Sequence, residues 1–556
     1  MADMRIALAQ TNPTVGAISG NLALVRAARA QAAAQGADLV VFSELVLCGY
    51  PPEDLVLKPL MLDAIEAALA DLAADTADGG PAMLVGAPVR IDGKLHNAAI
   101  LLDAGRRQGV RLKHDLPNYG VFDEKRVFVA GPLPGPIPFR GLRMGVMICE
   151  DMWSGDVAEC LQESGAEVLV VINGSPWDPR NSQARMAQAV ARVVETGLPL
   201  IYVNQFGGQD ELVFDGASFV LNADRVLKAR LASWRSDLQV TGWARDADGG
   251  LACLEGAIAP QAEGLHAIYQ ALATGLQDYV GKNGFPGVIL GLSGGIDSAL
   301  AAAIAVDALG SAKVRAVMMP SPYTSNESLE DAAKVAELLQ IQLDTVSIEP
   351  AMAAFQTMLA PAFAGSEAGV TEENIQSRAR GVTLMALSNK FGHMVLSTGN
   401  KSELSVGYAT LYGDMCGGFA VLKDVYKTTV FALSEWRNHQ RPAGLYGPEK
   451  RVMPDRVITK PPTAELKPNQ TDQDSLPPYE DLDAILHCLV EDDLSVADTV
   501  AKGHDRATVE RVWRMLDRAE YKRRQGAPGP KITHRQFNRE RRYPITNGFT
   551  QVALKP

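Results

Sequence analysis

The sequence predicts a two-domain α/β protein on three observations. Strand-length apolar runs alternate with alanine-rich helical stretches through the first 250 residues. Further along, a buried-strand run passes through glycines directly into another alanine-rich helix. Between the two patterns, the polar, glycine-rich 246–250 is followed by 251–265, which has no clear period and reads as a linker. Domains are therefore expected at 1–250 and 266–556, joined by 251–265.

In chain order, the apolar runs at 5–9, 39–42, 83–88, 98–102, 144–148, 168–172 and 200–203 read as strands, and 21–35 and 60–74 as helices. Asp92-Gly93 between two runs predicts a tight hairpin, so some strands pair antiparallel and the sheet is mixed. The second domain opens on a helix near His266. The run 287–292, its glycines and the helix 299–309 then form a mononucleotide-binding unit. Further parallel strands are expected at 314–319 and 394–397, and the Pro-, Thr- and Asn-rich 454–478 reads as a loop able to move over a site.

Composition bounds the function. With 556 residues, 47% hydrophobic and 21% charged, the chain belongs with soluble globular proteins, neither disordered nor membrane-embedded. A net charge of −12 argues against a surface built to grip nucleic acid or anionic lipid, so an anionic ligand must be held locally. The tail 506–542 runs the other way, with 12 Lys/Arg against 4 Asp/Glu. Its Pro528-Gly529-Pro530 punctuation favours a cover over a diphosphate substrate above an RNA-binding arm. Six scattered cysteines without a C-x-x-C pair point to a reducing compartment, and the N-terminus lacks a signal pattern, so a cytoplasmic location is expected.

Three short pieces of the first domain, each at a strand end, carry possible chemistry: Phe42-Ser43-Glu44-Leu45, 112–117 with Lys113, and 146–151 with Cys149. A carboxylate, an amine and a thiol brought together there can make a nucleophile with a base and an oxyanion stabiliser. Cys149 leads into an expected helix, whose dipole would favour the thiolate together with Lys113, while Glu150 and Asp151 oppose it. Taken singly, a cysteine such as Cys149 is more often one buried at a strand end.

Together, F-S-E-L, L-K-H-D-L-P, F-D-E-K-R-V-F and I-C-E-D-M-W resemble the nitrilase, or carbon–nitrogen hydrolase, superfamily over residues 4–250. The resemblance implies an α-β-β-α sandwich with Glu44 as general base, Lys113 steadying the tetrahedral oxyanion, Cys149 as nucleophile and Glu124 as a second carboxylate. Members that act on glutamine place a Tyr and a Ser where Tyr119 and Ser175 stand. Where they tend to carry a basic residue, this chain has Asn181 beside Arg180.

In the second domain, Ser293, Gly294, Gly295, Ile296, Asp297 and Ser298 follow a strand and precede a helix, so backbone N–H groups and hydroxyls converge on phosphate. No G-K-[ST] follows, which excludes a Walker A loop. The S-G-G-I-D-S string resembles the PP-loop of the N-type ATP pyrophosphatases. With N-I-Q-S-R-A-R at 374–380, S-T-G-N-K-S-E-L-S-V-G-Y at 397–408, Y-G-D at 412–414, D-V-Y-K-T at 424–428 and P-T-A-E-L at 462–466, the domain is similar to NAD synthetases. The fused arrangement resembles the glutamine-dependent branch of that family.

That resemblance implies a doubly wound parallel sheet and a ligase taking glutamine, ATP as co-substrate and deamido-NAD+. It implies ATP contacts from Ser293, Gly294, Gly295, Asp297, Ser298, Thr398 and Lys427, and dinucleotide contacts from Asn374, Arg378, Glu403 and Lys522. Asp297 and Glu403 would share Mg²⁺. Ammonia passing inside the protein and a homo-oligomer through the synthetase domain complete the expectation.

Overall fold

The computed structural model describes residues 3–246, 249–467 and 470–554, with the side chains of Asn181, Ser182 and Ala553 left aside. The chain divides into two compact units, Met1–Glu263 and Gly264–Pro556.

In the first unit, period-two alternation builds two sheets. One runs, in spatial order, Leu251–Glu255, Asp237–Arg245, Met4–Gln10, Leu39–Val41, Ala82–Ile91, Lys94–Asp103 and Arg106–Leu112. The other runs Leu227–Arg230, Phe219–Leu221, Leu200–Asn204, Val168–Asn173, Leu142–Ile148 and Ile137–Phe139. Ile6, Leu8, Leu39, Val41 and Leu84 point inward against Met144, Val146, Val170 and Ile172, while their neighbours Ala7, Ala9, Val40 and Val85 point outward to Val25, Ile65, Leu69 and Leu72. Those last four lie on the helices Ile18–Ala34 and Pro59–Asp75; Asp156–Glu163 and Asn181–Thr196 cover the second sheet through Val157, Leu161, Ala189 and Val193. Each fully buried Leu or Val contributes about 1.5–3 kcal/mol, so the alternation itself fixes the helix–sheet–sheet–helix layering.

Asp92 and Gly93, at φ 49° and 76°, make the expected hairpin turn between two strands paired in register from Met83↔Leu102 to Ile91↔Lys94. One expectation is corrected. Leu251–Glu255 falls in the stretch read as linker, yet it pairs antiparallel with Asp237–Arg245 at the sheet edge. Its pairing partner supplies the order that its own short, irregular pattern does not announce.

The second unit is built on five parallel strands in the order Gln342–Thr345, Val314–Met318, Val288–Gly291, Met394–Ser397, Phe419–Ala420. Strand order reverses between Val288–Gly291 and Met394–Ser397, and a crevice opens past their carboxyl ends. Helix Ile296–Leu309 is buried along nearly its whole length by alanines, whereas the opposite sheet face packs Ile289, Val317 and Val395 against Ala379, Leu384 and Leu387 of Val370–Phe391. Among the described residues no helix is long and apolar enough to cross a membrane.

Two further readings change. The stretch 454–478 contains the helix Asp455–Thr459 and the turn Asp472–Asp474. The tail is partly interior: helix Arg506–Arg518 buries Val509, Val512, Trp513 and Leu516 against Leu482, Leu486 and Leu489. Arg523 and Arg541 are buried and bond Glu520 at 2.8 and 3.1 Å, and Lys531 is turned onto the carbonyls of Thr533 and His534. The charge excess counted along the chain is thus partly neutralised inside, while Gly526 and Ala527 of the same tail line the cavity of the second unit. Glu520→Ala leaves two buried guanidiniums without their carboxylate and is expected to cost about 3–5 kcal/mol, read as a lowered urea midpoint for the second unit.

Candidate active site

Four strand ends of the first unit meet at one buried cluster. Glu44 follows Leu39–Val41, and the next residue, Leu45, is left-handed at φ 48°. The turn lies so close to the neighbouring strand that a Cβ on Gly86 would sit 2.3 Å from the Leu45 nitrogen and 2.7 Å from the Ser43 oxygen, so only glycine fits there. Lys113 follows Arg106–Leu112 with its backbone N–H on the Asn97 carbonyl at 2.8 Å. Cys149 follows Leu142–Ile148, itself at φ 48°. Gly174 follows Val168–Asn173.

The Lys113 Nζ donates to Glu44 Oε1 at 2.7 Å and to Glu124 Oε1 at 2.8 Å. Asn97 Nδ2 donates to Glu44 Oε1 at 2.7 Å, the Gly174 N–H to Glu44 Oε2 at 2.8 Å, and the Tyr50 hydroxyl to Glu124 Oε1 at 2.8 Å. Glu44 and Lys113 are wholly buried. Burial alone would lower the Lys113 pKa, but the two carboxylates outweigh it and hold the amine well above its ordinary value. Burial pushes Glu124 up to about 7, against the pull of Lys113.

The surroundings of Cys149 oppose the thiolate that Lys113 and a helix dipole favour. Burial, then the Glu44 charge, push the thiol well above its ordinary value, and Lys113 only partly offsets them alongside Glu150 and Glu124. The expected helix dipole is weak here, because Cys149–Met152 is one 3₁₀ turn and the helix proper begins at Asp156. The proton must therefore leave during attack, which requires a base.

Of the three residues expected to hold glutamine, the half-exposed Tyr119 hydroxyl donates to both Glu150 oxygens at 3.0 Å. Ser175 is pinned: its N–H donates to Asn204 Oδ1 at 3.0 Å and its hydroxyl accepts from Arg185 Nε at 3.0 Å. Asn181 opens the helix Asn181–Thr196, and its side chain lies outside the described residues. Arg185 was missed from the sequence; it is buried, pairs with Asp215 at 2.6 Å and reaches the Ser175 and Pro176 carbonyls. Its one sequence sign is a lone basic residue a turn beyond Asn181.

In the second unit, Ser293–Ser298 is wound on itself. Ser298 Oγ accepts from the Ser293 N–H at 3.2 Å and donates to the Gly295 carbonyl at 2.9 Å, and the two serine hydroxyls are 3.1 Å apart. Gly294 sits at φ 81°, where a Cβ would fall 2.3 Å from the Ser328 carbonyl oxygen. Lys427 Nζ bridges Asp297 Oδ2 at 2.5 Å and Glu403 Oε1 at 3.2 Å, and Asn400 Nδ2 donates to Asp297 Oδ1 at 2.8 Å. Burial, resisted by Lys427 and reinforced by Asp297, pushes Glu403 up to about 8. Asp297, Glu403 and Lys427, with the turn Ser293–Ser298, line a cavity of about 310 Å³ together with Thr398, and also with Arg380 and Glu465, two side chains that the sequence reading did not single out.

Asn374, Arg378 and Lys522 are not brought to that cavity wall. They surround the loop 407–411: Thr410 donates to Asn374 Oδ1 at 3.1 Å, Arg378 to the Leu411 carbonyl at 3.1 Å, and Lys522 to the Gly407 and Ala409 carbonyls at 2.8 Å each. For Mg²⁺ the donor set fits. Asp297 and Glu403 aim one oxygen each at the same ammonium on the cavity wall, matching an ion that takes one or two carboxylates and completes its shell from phosphate and water. Among the described residues no protein-only cage of three or more His, Cys, Asp or Glu exists.

Residues 5–244 match the carbon-nitrogen hydrolase family and residues 268–526 the NAD synthase family. The chain is 51% identical over 543 residues to a glutamine-dependent NAD(+) synthetase of Rhodobacter capsulatus, covering 98% of both, and 46% identical over 550 residues to one of Acinetobacter baylyi, covering 99% of both. It is also similar to the solved glutamine-dependent NAD+ synthetase of Acinetobacter baumannii in complex with ADP, at 46% identity and TM-score 0.78, with 98% of this chain and 99% of that one covered.

Two outcomes are expected. Alkylation of Cys149 by iodoacetamide in the ligand-free protein keeps accelerating past pH 9.0, the ordinary thiol value, because burial, then the Glu44 charge, raise the thiol against Lys113. Gly294→Ala, forced into the Ser328 carbonyl, weakens ADP binding by at least about fivefold in calorimetric titration, the lower end of a backbone strain of about 1–3 kcal/mol.

Proposed function

The chain belongs to the glutamine-dependent NAD(+) synthetases, glutamine-hydrolysing ligases that use ATP, and on that premise we propose how its residues divide the reaction. In the first unit, Cys149 Sγ attacks the γ-carbonyl of glutamine while Glu44 takes the thiol proton and passes it to the departing ammonia. Lys113 Nζ, held by Glu44 and Glu124, stabilises the negative charge that gathers on the carbonyl oxygen, an effect worth about 3–4 kcal/mol for a preorganised donor. Water, deprotonated by Glu44, then releases glutamate from the thioester. Tyr119, Ser175 and Asn181 hold the substrate.

In the second unit, the nicotinate carboxylate of deamido-NAD+ attacks the ATP α-phosphorus, pyrophosphate leaves, and ammonia displaces AMP from the adenylate to give the carboxamide. Ser293, Gly294, Gly295 and Ser298 donate to the phosphates, Thr398 contacts ATP, and Lys427 neutralises phosphate charge. Mg²⁺ held by Asp297 and Glu403 supplies charge neutralisation at the phosphates when bound. Asn374, Arg378, Glu403 and Lys522 face the dinucleotide. The attacking nitrogen must be neutral, whereas ammonium predominates in neutral water, which supports delivery of ammonia inside the protein. Exposed Val382, Met385 and Phe391 on Val370–Phe391 support a homo-oligomer formed by this half.

The observation that carries the assignment is the ammonium of Lys113 locked between two buried carboxylates at the strand ends that also present Cys149. Paired assays test it. Cys149→Ala is expected to lower glutamine-driven NAD+ formation by more than about 1,000-fold, as loss of a covalent nucleophile does, while synthesis driven by high ammonium persists. Asp297→Ala is expected to abolish both. Equal losses in both assays for Cys149→Ala would overturn the division.

A further inference from the structure

Asp151 is a buried acid, 1% exposed, that the chemistry above leaves without a role. Its Oδ2 accepts from the Ile148 N–H at 2.9 Å, one residue before Cys149. Its Oδ1 accepts from the His114 and Asp115 N–H groups at 3.0 and 2.8 Å, the two residues that follow Lys113. One carboxylate thus joins the turn that presents the thiol to the segment that presents the ammonium, and 37 residues of sequence separate the two. We propose that Asp151 is a positioning residue that clamps the Cys149 turn to the Lys113 segment and so sets the spacing between nucleophile and oxyanion-binding cation. The inference rests on the roles just given to Cys149 and Lys113.

Three features of the site support it. Ser154, at the end of the same turn, donates to Asp115 Oδ2 at 2.8 Å, so a second bond ties the same two segments. Cys149 has a left-handed backbone, a conformation that persists only where surrounding contacts over-determine it, and the bond to Ile148 fixes the residue just before it. The three partners are all donors, so the clamp needs a group that only accepts. Burial raises the Asp151 pKa to about 6, against the three N–H bonds and Lys113, and leaves the carboxylate ionised at neutral pH. An amide of the same shape keeps one oxygen for His114 and Asp115 but turns its own N–H toward that of Ile148.

The test is steady-state glutamine hydrolysis by full-length Asp151→Asn, with ammonium-driven synthesis and the melting curve measured on the same preparation. Misplacement of reacting groups by about 1 Å costs about 100-fold, so kcat is expected to fall by roughly that factor while KM for glutamine and ammonium-driven synthesis hold. Ser154→Ala, which removes only the outer tie, is expected to lower kcat several-fold at constant KM, and it decides the matter if Asp151→Asn does not fold. Wild-type kcat in Asp151→Asn, or in Ser154→Ala where the first variant does not fold, overturns the clamp, as does a loss of kcat no larger than the loss of folded protein. Glutamine hydrolysis by the wild type and its absence in Cys149→Ala check the parent reading independently, so failure of the clamp is told apart from failure of the nucleophile assignment.

Discussion

A wholly buried ammonium is tolerable only beside carboxylates, and Lys113 between Glu44 and Glu124 sets the terms for the whole first unit. Removing one partner of such a group costs about 3–5 kcal/mol, because the charge left behind has no water. The three side chains come from separate segments, so the cluster exists only when the strands are in the correct register; a slip of one residue turns Lys113 to the other face of the sheet. The register shift between Leu101 and Leu102, opposite the strand that leads to Lys113, is one of the adjustments that aims it. Gly86, against which the Glu44 turn lies, is another.

The second unit uses the same device beside the turn Ser293–Ser298, where Lys427 bridges Asp297 and Glu403. The difference is access. Lys113 has no solvent exposure and faces two anions that stay with it, whereas the acids around Lys427 line an open cavity. A lysine shared by two acids keeps those acids close together and oriented. The raised pKa of Glu403 has its first cause in burial, resisted by Lys427 and reinforced by Asp297.

Much of this was legible in the sequence, for physical reasons that also mark where legibility stops. Ile6, Leu8 and their alternating neighbours report burial on two faces, and the strand Met394–Ser397 was read to the residue because a short buried run has only one register that hides it. Asp92-Gly93 and Ser293–Ser298 announce themselves because glycine and short polar side chains are needed where backbone must turn left-handed or approach an anion. Leu251–Glu255 gave no such sign, since its order comes from a partner strand. Lys522 and Arg523 read as a basic patch, but their donors turn onto the carbonyls of 405–409, a choice that formal charge does not encode. Arg185 was overlooked because Asp215, the acid that buries it, lies 30 residues away.

The strand Met4–Gln10 lies within its sheet, with Asp237–Arg245 on one side and Leu39–Val41 on the other. During synthesis that edge of Met4–Gln10 therefore stays open until its partner strand, ending at residue 245, has left the exit tunnel. Throughout that interval the nascent chain displays an apolar ribbon with unsatisfied backbone groups, a template for pairing with neighbouring polypeptides. The edge is closed only when 237–243 pair with it, so the sheet completes late although one of its inner strands is made early.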